Sequence, residues 1–210
     1  MKTPFTVEQF LEVFKKYNET VFPMQIILYL MGTIAIYLII KPTSRSNKII
    51  SGILAFLWLW MGIVYHLVFF TAINKAANLF GSIFILQAFL FLSFGVFQNK
   101  LSFKFHLDIY GFTGIILIVF ALIGYPILGY IFGHRYPLSP TFGLPCPTTI
   151  FTFGLLLLIY KKCPVSILVI PFIWSVLGFS AAFHFSKGTR TSIVVPSSGA
   201  DRIVMEPPIE

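Results

Sequence analysis

Charge is scarce in this chain and acid is scarcer still: seven Asp and Glu stand against fifteen Lys and Arg, and only 10% of the 210 residues are charged. Soluble domains carry about 25% charged residues. With 57% hydrophobic residues and a mean hydropathy of +0.89, one water-soluble globule of this size has too little interior for its apolar side chains. That argues against a soluble enzyme, a disordered protein and a nucleic-acid binder. The net charge of +8 reads instead as loops held against anionic lipid headgroups. Cysteine is nearly missing too. Cys146 and Cys163 are the only two, with no CxxC redox or zinc spacing, and they are expected on opposite sides of the membrane, too far apart to bridge. There is no phosphate-binding loop, nucleotide fingerprint, pair of carboxylates or serine elbow, so no catalytic residue is assigned and no cofactor or metal is expected.

What the chain does have is long uncharged runs. Five stretches, near Val21–Ile40, Ile49–Phe70, Ala77–Phe97, Ile109–Phe132 and Pro164–Phe185, carry no Asp, Glu, Lys or Arg. Each approaches or exceeds the roughly 20 apolar residues that cross a bilayer as a helix. A sixth, Pro147–Tyr160, is apolar but would reach only about 21 Å at 1.5 Å per residue. The expected fold is all-α: a polytopic membrane helix bundle of six transmembrane helices, the fifth short or half-membrane, preceded by an N-terminal interfacial helix. Residues 1–20 form that amphipathic helix, 21–185 the membrane domain and 186–210 a loose polar tail. Thr6 and Gln9 have capping-box spacing, and Phe10, Val13, Phe14 and Tyr17 recur at helical intervals. A cap packed over the loops is the other reading of that helix. The first span is too long for a signal core and is expected to be retained.

Short-loop cations set the orientation. Loop one holds Lys41, Arg45 and Lys48, loop three Lys100 and Lys104, and loop five Lys161 and Lys162; loops two and four hold Lys75 and Arg135. This puts loops one, three and five in the cytoplasm and both termini outside a bacterial inner membrane.

Polar chemistry collects toward the outer side. Trp58, Gly62, His66 and Phe70 fall four residues apart on one helix face, and glycine there turns His66 toward a neighbouring helix. An ionisable residue inside a span is a functional candidate by default, the alternative being an imidazole hydrogen-bonded between helices. His184 follows small residues near the end of the last span and reads as a candidate ligand or an interfacial histidine. Loop four contributes His134 and Arg135, then a Pro- and Gly-rich path to Cys146 and Pro147. The short helix that follows is expected to start inside the bilayer at Pro147 and to aim the free N–H groups of Thr148, Thr149 and Ile150 into a cavity. A plain turn with an inert, packed Cys146 is the alternative. His66, His134, Arg135, Cys146, Thr148, Thr149 and His184 are therefore the candidate ligand-binding residues. Pro126 is expected to kink the fourth span, and Gly129 and Gly133 have GxxxG spacing.

Several blocks resemble a known family: Pro4-Phe5-Thr6 with Gln9-Phe10-Leu11, Leu57 through His66, Phe69-Phe70 with Ile73-Asn74, and above all Gly133–Phe153. They are similar to a family of bacterial multi-spanning membrane proteins classed as domain of unknown function 6064. The resemblance covers most of the chain up to the last span and implies a bacterial membrane protein, without carrying an activity. Three functions compete. One is a permease-like protein with an outer cavity for a small anion or weak acid and His66 as proton partner. Another is a non-catalytic membrane subunit or assembly factor, as a homo-oligomer or beside a membrane partner. The third is a metal or haem protein ligated by His66 and His184, with Cys146 as an optional further ligand; a membrane enzyme with a Cys146 nucleophile is weaker still.

Overall fold

The computed structural model describes residues 5–160 and 162–188, with the backbone alone over 181–188. The polar tail falls mostly outside the described residues. The described chain is helical, with isolated bridges but no strand.

Helix α1 (Val7–Val21) opens on the expected capping box: Gln9 N–H donates to Thr6 Oγ1 at 3.3 Å, and Thr6 N–H donates to Gln9 Oε1 at 2.9 Å. After Phe22-Pro23 the chain turns through 88° into α2 (Met24–Ile40). Helix α1 thus crosses the end of the bundle and packs Val13, Phe14 and Tyr17 among Tyr65, Phe69, Phe70, Ala77 and Leu144.

Three long apolar helices follow, each with a widened π-helical stretch. Helix α3 (Ser46–Trp60) continues as a π-helix over Met61–Phe69 and a 3₁₀ turn over Phe70–Ala72. Helix α4 (Ala77–Phe91) ends in π-helix Leu92–Phe97. Helix α5 (Ile109–Val119) runs through π-helix Phe120–Gly124 into α6 (Tyr125–Ile131). These segments, of 27, 21 and 23 residues, are long and apolar enough to cross a membrane. Helices α7 (Pro145–Leu157) and α8 (Val165–Gly188) complete the order.

Pro126 is the second residue of α6, directly after the π-helical stretch Phe120–Gly124, which widens the backbone where its missing N–H would leave a carbonyl unpaired. Two local expectations are corrected. Gly129 and Gly133 do not form a helix-crossing motif. His134 N–H donates to Gly129 O at 2.8 Å, Gly133 N–H to Tyr130 O at 3.1 Å, and Gly133 has φ +84°, so the pair closes α6 as a Schellman C-cap. Helix α7 starts at Pro145, two residues ahead of expectation.

Close helix crossings use other glycines. A methyl on Gly62 would lie 2.9 Å from Gly81 O, which brings the π-helix of α3 against α4; a methyl on Gly114 would lie 2.8 Å from Gly154 O, which brings α5 against α7. The Gly62 contact is the one the stripe in the second span implied. Trp58, Leu54, Phe84, Phe91, Phe142 and Phe151 fill the main core between these crossings.

Loops one, three and five meet at one end. Phe103 N–H donates to Asn47 Oδ1 at 2.9 Å, Lys104 N–H to Leu158 O at 2.8 Å and Tyr160 N–H to Ser102 O at 2.9 Å. Helix α1, loop two and loop four meet at the other.

Candidate functional site

His66 lies near the α1 end of α3, within the π-helical stretch, and is fully buried. Its ring is edge-on to Phe84 (centroids 4.6 Å apart), Trp174 (5.1 Å), Phe70 (5.9 Å) and Phe80 (5.9 Å). Phe84 and Trp174 also meet each other at 4.9 Å, so α4 and α8 close the box from two sides. Neither Nδ1 nor Nε2 has a hydrogen-bond partner among the described residues. No helix-bridging hydrogen bond to His66 is formed among the described residues. Most buried polar groups are paired, and an imidazole with both nitrogens bare calls for an explanation. In the same α4–α8 seam, Gln87 Nε2 donates to Ile167 O at 3.0 Å, a bond between helices, while its Oε1 has no partner among the described residues.

The entry to α7 is built as a buried extended strand. Phe142 and Leu144 are fully buried, and Gly143, at φ +101°, lies so close to Leu28 that any side chain would collide with it. Gly143 N–H donates to Thr148 Oγ1 at 2.9 Å. The chain thus dips into the protein as expected, but the N–H cradle does not follow. Because the helix begins at Pro145, Thr148 N–H donates to Leu144 O at 3.2 Å, and Thr149 and Ile150 lie inside the hydrogen-bonded run. Pro145 and Pro147 have no N–H, which leaves the first turn with that of Cys146 alone. The three donors expected for an anion are already spent.

The other candidates take separate positions. The Cys146 side chain, in the first turn of α7, lies close to that of Tyr125 at the start of α6. Thr148 is consumed by Gly143, whereas the buried Thr149 Oγ1 has no partner among the described residues. His134 is exposed, and the Arg135 guanidinium lies over the Tyr130 ring at 4.8 Å. His184 falls in α8 where only the backbone is described. No hydrogen bond, ion pair or ring contact among the described residues joins His66 to His134, Cys146, Thr148 or Thr149. Among the described residues no three of His, Cys, Asp and Glu gather closely enough to hold a metal ion.

Residues passed over in the sequence carry much of the polar structure. Asn18 is fully buried; its Nδ2 donates to Pro137 O (2.7 Å) and Ser139 O (2.8 Å), and its Oδ1 accepts from Thr141 Oγ1 (2.8 Å). Its carbonyl accepts from Gln25 Nε2 at 2.7 Å and Tyr136 Oη at 3.3 Å. One amide thus clamps α1 onto loop four. Asn18-Glu19-Thr20 also has glycosylation spacing, but this nitrogen is already engaged and buried. Two of the three tryptophans are likewise bonded: Trp58 Nε1 donates to Thr152 Oγ1 at 3.0 Å, and Trp60 Nε1 to the Tyr17 hydroxyl at 2.7 Å. An Asn at the end of an amphipathic helix, and Trp N–H groups inside apolar runs, were the available signals, since each demands a partner once buried.

Together these features define an all-helical protein whose long apolar helices have the length a bilayer requires and whose interior holds a buried imidazole with no hydrogen-bond partner among the described residues. The sequence profile of the Family of unknown function (DUF6064) matches residues 7–199, and the chain belongs to that family. No curated protein and no solved structure matches it.

Proposed function

We propose that this chain crosses the cell membrane six times, with loops one, three and five cytoplasmic, and acts as a permease-like protein whose polar centre is His66. One observation carries the reading: a fully buried imidazole with both nitrogens bare, in a π-helical stretch of a long apolar helix. Leaving such a group unsatisfied costs about 1–3 kcal/mol, and π-helical turns recur at functional sites. A proton, a water or a small weak acid passing between α3, α4 and α8 would supply the missing bond. On α4, Gln87 Oε1 is another buried acceptor without a partner among the described residues.

The test is uptake of radiolabelled lactate, chloride and nitrate into proteoliposomes under an inward proton gradient. Uptake above protein-free vesicles by at least one probe, lost in His66→Ala and kept in Cys163→Ala, supports the reading. Uptake that survives His66→Ala removes His66 from it, and uptake equal to empty vesicles for every probe removes transport.

A membrane subunit or assembly factor is favoured by a different observation, the clamp from Asn18 that orders loop four while Arg135 and Tyr136 stay exposed. Purification in mild detergent with one stoichiometric partner, lost in Arg135→Glu, would support that role.

A further inference from the structure

At the end where loops one, three and five meet, α2 and α5 line an open cleft of about 520 Å³. That volume falls within the range of small-molecule and cofactor sites. Ile36, Ile39 and Ile40 of α2 form one wall, and Ile115 and Ile118 of α5 the other. Lys104 stands at the rim with its backbone fixed, because its N–H donates to Leu158 O at 2.8 Å. Its ammonium lies 5.5 Å from the centre of the Tyr160 ring, and no carboxylate pairs with it among the described residues. From residue 41 to residue 162 this end carries Lys41, Arg45, Lys48, Lys100, Lys104 and Lys162 among the described residues, against Asp108 alone. Asp108 is itself engaged by His106 at 2.6 Å and by Gly111 N–H at 2.8 Å. Just beyond the rim, Leu107 (83% exposed) and Ile109 (73% exposed) turn apolar side chains outward.

A greasy trough, open at the side and ending at an unbalanced ammonium, has the polarity of one kind of molecule. We propose that this cleft binds an anionic phospholipid, with an acyl chain along the isoleucines and the phosphate on Lys104. Inorganic phosphate would gain nothing from the apolar walls, and a zwitterionic lipid would bring a second cation into a region already crowded with them. The site rests on the membrane-spanning reading but is independent of His66.

The experiment uses the full chain purified in a neutral detergent, with phosphatidylglycerol, phosphatidylcholine and inorganic phosphate as probes, read by native mass spectrometry and thermal shift. Phosphatidylglycerol is expected to remain bound and to raise the melting temperature, with phosphatidylcholine clearly weaker and phosphate without effect. Lys104→Ala should weaken phosphatidylglycerol about fivefold and leave phosphatidylcholine unchanged. Ile115→Trp, which fills the trough, should weaken both lipids; if that variant fails to fold, the exposed Lys104→Ala still decides. Equal binding of the two lipids, or indifference to Lys104→Ala, overturns the anionic site while leaving the membrane reading intact. Displacement of phosphatidylglycerol by phosphate alone would reduce it to an ion site.

Discussion

His66 poses a sharp question for a single side chain, because its surroundings offer it rings and no hydrogen bond. If the imidazole is kept for function, a benzene ring of similar shape should suit the box better. His66→Phe is expected to raise stability in detergent by about 1 kcal/mol while abolishing uptake; a loss of stability would contradict a bare ring. Asn18 makes the opposite prediction. Its amide donates to two carbonyls that a carboxylate cannot serve, so Asn18→Asp and Asn18→Ala should each cost about 2–3 kcal/mol and expose loop four to trypsin after Arg135. His66 is legible in the sequence, since an ionisable residue within an apolar run announces itself. Asn18 is not, because its importance comes from carbonyls about 120 residues away, which spacing along the chain does not reveal.

The elements show where local rules suffice and where they stop. Capping chemistry was legible: Thr6 with Gln9 opens α1 as its spacing implied. The start of α7 was legible to within two residues, yet those two residues decide the chemistry, because they put prolines where donors were expected. The π-helical stretches were not legible, since an extra residue per turn leaves hydrophobic composition unchanged. The close crossings also depend on partners: Gly129 and Gly133 have the spacing but end a helix, whereas Gly62 meets Gly81 and Gly114 meets Gly154. Gly154→Ala should force α5 and α7 apart and cost about 1–3 kcal/mol, measured by thermal unfolding in detergent, while Gly52→Ala, inside α3 with open space around it, should cost nothing and gain up to about 1 kcal/mol. Asp108 gives a pH test at the start of α5. The Gly111 N–H, and then the His106 side chain, hold its carboxylate below the ordinary range. A depressed pKa adds stability above the unfolded value that is lost as pH falls through the folded one. Acidification should therefore destabilise the wild type more than Asp108→Asn, which keeps a capping oxygen without the titration.

For the whole molecule, the hydrogen bonds that tie Asn47 to Phe103 and Ser102 to Tyr160 gather loops one, three and five, while Asn18 gathers α1 with loop four. Two groups of loops at two ends is the arrangement that alternating crossings require. With a cysteine-free background, Ser139→Cys should react with a membrane-impermeant maleimide on intact cells, and Ser44→Cys only after permeabilisation; the reverse pattern would invert the orientation. The right-angled turn between α1 and α2 has a bearing on biogenesis. The apolar side of α1 has most of its seat as soon as Tyr65, Phe69, Phe70 and Ala77 exist, whereas the polar clasp from Asn18 waits for Pro137, Ser139 and Thr141. Closure of that clasp is a late event in maturation, and a chain cut short before loop four would hold α1 by its greasy contacts alone, with an amide on it that has lost its carbonyls.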